Sequence, residues 1–198
     1  IANKSEILSL LNNFVHPYNT FEKITISGDN DIIKLQFQHL YTDDEIEAIN
    51  EVVDKVINEK ITNNMPTREK IKVIHDYIID NADYDTLKTD NINDTTYKSN
   101  TAYGVLIQGY GICSGYADAM AIFLDKLDII NYRISNDKHI WNLVYLDGEW
   151  YHLDLTWDDP VTEINTNRDT YFLIDTETLK LINDGTHFFD YSIFSEAE

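Results

Sequence analysis

Residues 109–124 read Gly-Tyr-Gly-Ile-Cys-Ser-Gly-Tyr-Ala-Asp-Ala-Met-Ala-Ile-Phe-Leu and contain Cys113, the one cysteine of the chain. Glycines surround this cysteine, and the apolar residues after it have helical spacing. The stretch predicts that Cys113 lies where a glycine-rich loop becomes a helix, a position that favours a thiolate. A lone cysteine is more often a small buried apolar residue, so a catalytic role requires a histidine and a carboxylate as partners.

The candidate partners lie in a predicted β-hairpin. Asp147-Gly148 is a strong signal for a two-residue turn, and it joins predicted strands over residues 139–146 and 149–156. With that turn, His139 and Asp154 are diagonal neighbours on one face of the sheet. The carboxylate would hold the imidazole in one tautomer while the other ring nitrogen meets the thiol. These two residues and the cysteine are therefore the predicted catalytic residues.

His152 is an alternative base, because it lies on the same predicted strand and face as Asp154. His75 follows a helical pattern beside Asp76, which is typical of a packed or surface histidine. The other histidines have no patterned partner in the sequence. They are His16, His39 and His187.

Neither a metal nor a cofactor is predicted. No histidine, cysteine or carboxylate pair has the spacing of a zinc site. Residues 90–101 imitate the start of a calcium loop, but Thr95 and Thr101 stand where glycine and glutamate are required. We therefore expect calcium-independent behaviour.

The order of the predicted elements indicates an α+β fold, in which helices precede a run of antiparallel strands. Residues 1–65 are predicted to form an N-terminal extension of helix, β-hairpin and helix, and residues 66–198 the core domain. The individual predictions are helices over 1–14, 43–57, 68–81 (capped by Thr67) and 113–126, strands over 21–27, 32–37, 129–135, 139–146, 149–156 and 171–174, and a surface loop over 85–100.

The charge of the chain limits its partners. The 198 residues include 15 basic and 35 acidic side chains, which gives a net charge of −20. A nucleic acid or an anionic membrane surface requires a basic footprint, so neither is expected as a partner. No apolar run has the length of a membrane span, so membrane insertion is not expected either.

Three motifs together point to a known family. They are Gly-x-Cys-Ser-Gly-Tyr-Ala at residues 111–117, His-Ile-Trp-Asn at 139–142 and Trp-Tyr-His-Leu-Asp-Leu-Thr-Trp-Asp-Asp-Pro at 150–160. Their order resembles the transglutaminase-like superfamily, in its bacterial cell-surface and secreted branch, and the likeness extends over residues 66–190. The resemblance implies a papain-like core whose N-terminal catalytic-cysteine helix packs on an antiparallel sheet. It also implies Cys113 as nucleophile, His139 as base and Asp154 as orienting acid.

The family implies thiol-dependent acyl transfer or hydrolysis through a thioester, as in transglutaminases and cysteine peptidases. A lysine amine or water would resolve the thioester. The oxyanion hole would use the Cys113 backbone N–H and a second donor, for which Gln108 is a candidate. The expected substrate is a protein or peptide, such as a cell-wall or surface protein, and the expected location is extracellular or the bacterial cell surface. The alternative is a catalytically silent surface interaction module.

Overall fold

The α+β fold predicted from the sequence is confirmed by a computed structural model, which describes residues 4–28, 32–159, 168–182 and 185–197. In chain order its elements are α1 (Lys4–Asn12), β1 (Phe21–Gly28), β2 (Ile33–His39), α2 (Asp43–Lys60), α3 (Thr67–Asn81), β3 (Asp83–Tyr84), α4 (Thr86–Asp90), β4 (Tyr110–Gly111), α5 (Cys113–Lys126), β5 (Asn131–Ser135), β6 (Ile140–Leu146), β7 (Glu149–Leu153), α6 (Leu155–Asp158) and α7 (Thr176–Ile182).

Helix α5, which begins at the cysteine, forms the centre of the fold. Every residue from Gly115 to Leu124 is buried. One side of α5 packs against Ile74 and Ile78 of α3, and another packs against the antiparallel sheet β5–β6–β7. The side-chain amide of Asn142 on β6 donates to the Ala117 carbonyl at 3.0 Å and ties the sheet to the helix. The predicted core, a cysteine helix packed on an antiparallel sheet, is confirmed.

The start of α5 is fixed by close backbone contacts. Strand β4 pairs in parallel with β3, and the Ile112 N–H donates to the Ser99 carbonyl at 2.9 Å. A Cβ atom on Gly115 would lie 2.3 Å from that same carbonyl oxygen. Glycine is therefore required at position 115 because the loop backbone passes directly over the first turn of the helix.

The β6–β7 hairpin has the predicted register. Asp147 and Gly148 both have positive φ, 55° and 98°, as a two-residue turn of the primed type requires. The ladder extends from the pair Leu146–Glu149 to the pair Asn142–Leu153. It is shorter than predicted, because the chain leaves the sheet at residue 154 and enters α6.

The N-terminal segment contains the predicted helix, hairpin and helix. The hairpin pairs Ile24 with Phe37 and Ile26 with Leu35, and residues 29–31 of its predicted turn, 28–31, lie outside the described residues. Helix α2 begins with a capping box, in which Thr42 and Glu45 exchange hydrogen bonds.

A buried network joins this N-terminal segment to the core. The Arg133 guanidinium forms an ion pair with Asp118 of α5 and donates to the Asn12 and Val15 carbonyls. The Tyr41 hydroxyl donates to the other Asp118 oxygen at 2.5 Å. Asp118 therefore connects α5 to both the sheet and the N-terminal segment. The boundary after residue 65 stays a prediction.

Three further local predictions are wrong. Thr67 is the first residue of α3 rather than its cap, because Pro66 occupies the cap position. The predicted loop 85–100 contains the short helix α4, which Asp85 caps through the Lys88 N–H at 3.0 Å. The predicted strand 171–174 is reduced to one bridge to β7 at Ile174, because the left-handed backbone of the preceding residue interrupts it. In the part of the chain that the structure describes, no helix has the length and apolarity to cross a membrane.

Candidate active site

Cys113 is the first residue of α5, and its thiol is free and partly exposed. The residue before it, Ile112, has an extended backbone and provides no side-chain cap for the helix. The first N–H groups of a helix have no partner within the helix. Cys113 therefore stands at the positive end of the α5 dipole, an environment that favours negative charge.

His139 and Asp154 meet beyond the end of the β6–β7 ladder. The Nε2 atom of His139 lies 2.5 Å from Oδ2 of Asp154, and both side chains are buried. His139 immediately precedes β6, and Asp154 immediately follows β7. The hairpin therefore brings the two residues together, as its register predicts, although neither belongs to the paired strands.

The Cys113 thiol lies close enough to the His139 ring to affect its pKa. Burial lowers the pKa of His139, but the charge of Asp154 and hydrogen bonds to Asp154 and Cys113 outweigh burial and raise it to about 10. Because Nε2 is taken by the carboxylate, Nδ1 is the ring nitrogen left for the thiol. The cationic form of the ring is therefore stabilised at neutral pH, chiefly by the carboxylate and also by the cysteine.

Asp154 is fully engaged as an acceptor. Its Oδ1 accepts from the Thr156 and Trp157 N–H groups at 2.8 and 3.3 Å and thereby caps α6. Burial raises the pKa of Asp154, but the charge of His139 and hydrogen bonds from His139 and His187 outweigh burial and lower it below its ordinary value. The carboxylate is therefore held ionised and fixed on its helix side by the backbone.

His187 is the residue that sequence reasoning missed. Its Nε2 lies 2.7 Å from Oδ2 of Asp154, the same oxygen that His139 contacts. The ring is stacked on Tyr171, with centroids 4.8 Å apart. His187 is followed by two phenylalanines, which is a weak signal for burial, but no periodic pattern connects this segment to the hairpin.

His152, the alternative base, is engaged elsewhere. Its Nδ1 accepts from the Trp141 indole N–H at 3.1 Å, and its Nε2 lies 3.0 Å from the Thr176 hydroxyl. Burial first, and then the charge of His187, lower the pKa of His152 to about 3. His152 is therefore a neutral, buried, structural histidine.

Two further sequence candidates have structural contacts. Gln108, the candidate second oxyanion donor, accepts at its side-chain oxygen from the Lys98 N–H at 2.7 Å and so braces the loop before the site. His75 is fully buried, and its ring nitrogens lie 2.9 Å from Asp76 and 3.2 Å from Asp158. His75 therefore links α3 to α6, and of the two alternatives predicted for it, a packed or a surface residue, it is the packed one.

Aromatic side chains surround the His139 ring. Trp141 lies parallel to it with centroids 5.7 Å apart, and Trp157 meets it edge-on at 6.4 Å. Trp157 is 44% exposed and so forms part of the surface beside the ring. Burial first, and then the charges of Cys113 and Asp154, raise the pKa of Tyr84, which places this tyrosine near the thiol as well.

The ligand-type atoms of His139, Asp154 and His187 lie within 4.8 Å of one another, which raises the question of a metal. Around a tetrahedral ion with bonds of about 2.0 Å, neighbouring ligand atoms are separated by roughly 3.3 Å. The two nitrogen–oxygen distances here are 2.5 and 2.7 Å. These distances fit charge-assisted hydrogen bonds rather than metal ligation.

Comparison with known proteins supports the fold. The model of the transglutaminase-like superfamily matches residues 54–155, just over half of the chain. The crystal structure of a TGase aligns with a TM-score of 0.52 at 17% identity, over 84% of this chain and 50% of its own, so the chain spans about half the length of that protein. A Cytophaga hutchinsonii protein provisionally described as a cysteine protease aligns with a TM-score of 0.40 at 14% identity, over 68% of this chain and 61% of its own. No curated protein matches significantly in sequence.

Proposed function

The chain belongs to the transglutaminase-like superfamily, and on this premise we propose that it is a thiol-dependent enzyme that transfers or hydrolyses acyl groups of proteins or peptides. Cys113 is the nucleophile, His139 the general base and acid, and Asp154 the group that orients His139. The observation that carries the proposal is the position of the His139 ring, whose Nε2 lies 2.5 Å from Asp154 and whose pKa is raised by both Asp154 and Cys113.

The first half-reaction forms a thioester. His139 holds the proton of the Cys113 thiol, and the resulting thiolate attacks the carbonyl carbon of a glutamine carboxamide or a peptide bond. A sulfur–carbon bond forms, and the carbonyl oxygen becomes an oxyanion beside the Cys113 backbone N–H at the start of α5. When the carbon–nitrogen bond breaks, His139 gives its proton to the departing nitrogen, which leaves as ammonia or as a free amine.

The second half-reaction returns the cysteine. A primary amine or a water molecule attacks the thioester while His139 removes its proton, and the same proton then returns to the sulfur. An amine gives a new amide bond, and water gives a carboxylic acid. Asp154 stays ionised through both half-reactions, because its pKa lies below its ordinary value, and it stabilises the imidazolium whenever that forms.

The proposed substrates are proteins or peptides at a bacterial cell surface or outside the cell. The strongly acidic chain, with a net charge of −20, favours basic over acidic partners by long-range attraction. A lysine side chain carries the positive charge that this attraction selects. We therefore propose primary amines that are cationic at neutral pH, such as lysine side chains, as the acyl acceptors.

Mass spectrometry of a glutamine-containing test protein separates the possible outcomes. The test protein is incubated with the native chain or with Cys113→Ala, with and without a primary amine. Amine incorporation that requires Cys113 identifies a transferase, and cleavage or deamidation that requires Cys113 identifies a hydrolase. Identical spectra for the two proteins would leave the silent interaction module as the function.

A further inference from the structure

A second histidine contacts the oxygen that orients the proposed base. His139 and His187 both direct Nε2 at Oδ2 of Asp154, at 2.5 and 2.7 Å. We propose that His187 is a positioning residue, which sets how strongly Asp154 holds the His139 imidazolium by sharing the same carboxylate oxygen. This inference rests on the proposed function and adds a fourth residue to that site.

The hydrogen bond to Asp154 determines which ring nitrogen of His187 carries a hydrogen. An ionised carboxylate only accepts hydrogen bonds, so both histidines must carry a hydrogen on Nε2. The lowered pKa of Asp154 shows that the ionised form is the relevant one. His187 therefore donates to Asp154 in competition with His139, and the two rings stand edge to face with centroids 5.0 Å apart.

Packing holds His187 in this position. The residue is 9% exposed, stacks on Tyr171 and meets Trp141 edge-on with centroids 4.9 Å apart. Aromatic walls on two sides restrict the ring, so its donor is aimed at the carboxylate before any substrate arrives. Preorganised donors of this kind act without a cost of reorganisation during the reaction.

Sharing the oxygen has a definite electrostatic consequence. Four donors surround the Asp154 carboxylate, namely two backbone N–H groups on Oδ1 and two imidazoles on Oδ2. Each donor withdraws negative charge from the carboxylate and so weakens its attraction for the others. Loss of the His187 donor would make Asp154 more basic, which stabilises the His139 imidazolium and the thiolate paired with it.

The ionisable groups that neighbour His187 and Asp154 do not change the stability of the His139 imidazolium in the way that loss of the His187 donor does. His152 faces His187, but burial and the charge of His187 lower its pKa to about 3, so it stays neutral over the relevant range. Tyr84 faces the thiol and Asp154, and its raised pKa keeps it protonated. Asp158 of α6 also acts on Asp154, and burial raises its pKa despite hydrogen bonds to His75 and the Tyr171 N–H. The charges that act on the Asp154 carboxylate therefore include those of His139, His187 and Asp158, and Asp158 is present in the wild type and in the variants alike.

The pH dependence of iodoacetamide alkylation at Cys113, followed by intact mass, tests the inference without a substrate. His187→Phe keeps an aromatic ring but removes the donor, whereas His187→Gln keeps a donor. A hydrogen bond contributes about 0.5–1.5 kcal/mol, which corresponds to roughly 0.5–1 pH unit. We expect His187→Phe to move the midpoint of the alkylation profile to lower pH by that amount, and His187→Gln to stay near the wild type.

Several outcomes would overturn the inference. A His187→Phe profile that coincides with the wild type, or a midpoint that rises, contradicts the role assigned to His187 while leaving Cys113 activated. A wild-type profile like that of a free thiol would instead contradict the proposed function itself, so the two failures are distinguishable. If His187→Phe does not fold, His187→Met removes the donor with a more adaptable side chain, and the same downward shift is expected.

Discussion

Nε2 of His139 and Oδ2 of Asp154 lie 2.5 Å apart just beyond the last pair of the β6–β7 ladder. His139 is held by the strand it precedes, and Asp154 is held by the helix it caps. The hairpin register therefore positions the ring, and two backbone N–H groups fix the carboxylate that the ring contacts. A proton acceptor fixed in this way needs little reorganisation when the thiol gives up its proton.

Replacing the carboxylate tests its orienting role. Asp154→Asn keeps an oxygen that can cap α6 but removes the negative charge that stabilises the imidazolium. We expect Cys113-dependent acyl transfer to fall by at least about a hundredfold, with folding retained in circular dichroism. Asp137→Asn, an exposed residue two positions before His139, is the matched control and should keep full activity. Activity within threefold of wild type in Asp154→Asn would contradict the role.

The ion pair between Arg133 and Asp118 predicts a large effect on stability. Both side chains are only 4% exposed, so Arg133→Met would leave Asp118 buried without its cationic partner. Urea unfolding should show a loss of about 3–5 kcal/mol. The exposed pair Lys126–Asp54 is the matched comparison, and Lys126→Met should cost less than about 1 kcal/mol. Equal losses in the two variants would mean that the buried network does not stabilise the attachment of the N-terminal segment to the core.

His152 predicts a loss of stability in acid. The fold holds His152 neutral, with a pKa of about 3 against 6.5 for an unperturbed histidine. The unfolded chain therefore binds a proton between pH 6.5 and 3 that the folded chain does not, and stability falls as the pH is lowered through this window. The slope from one such group is about 1.4 kcal/mol per pH unit.

His152→Gln isolates this contribution. The stability difference between wild type and His152→Gln should shift by about 2–3 kcal/mol in favour of the variant between pH 6.5 and 4.5. His39→Gln, at an exposed position on β2, should show no such shift. A constant difference between wild type and His152→Gln at all pH values would mean that His152 is not held neutral.

Gly115 predicts a steric effect on the site. A Cβ atom there would meet the Ser99 carbonyl oxygen at 2.3 Å, so Gly115→Ala must displace the loop or the start of α5. We expect a loss of about 1–3 kcal/mol and slower alkylation of Cys113. Gly148→Ala costs the strain of its positive φ, about 1–2 kcal/mol, but its Cβ meets nothing within 4 Å. Its alkylation rate should therefore match the wild type, and a rate as slow as that of Gly115→Ala would point to general destabilisation.

Local sequence signals predict the parts of the site that are formed by segments adjacent in the sequence. The Asp147-Gly148 turn determines the register of its own hairpin, so the meeting of His139 and Asp154 followed from a two-residue signal. The start of α5 at Cys113 followed from glycines and helical spacing. In both cases the chemistry of a few adjacent residues decides the structure.

Contacts between distant segments were not predictable in this way. His187 reaches Asp154 from a segment 33 residues away, and no turn or period relates the two. The end of β7 at Leu153 is not predictable locally either, because Asp154 caps α6 with its side chain and donates its N–H to the Tyr171 carbonyl of a distant segment. Tertiary packing decided both outcomes.

The central claim is that His139 and Asp154 keep Cys113 as a reactive thiolate, and alkylation at pH 5.5 tests it most directly. A free thiol is only about 0.1% ionised at that pH, and a thiolate held by an imidazolium is somewhat less nucleophilic. We predict that iodoacetamide modifies Cys113 at least about ten times faster than free cysteine, and that Asp154→Asn removes most of this advantage. A wild-type rate equal to that of free cysteine would contradict the account.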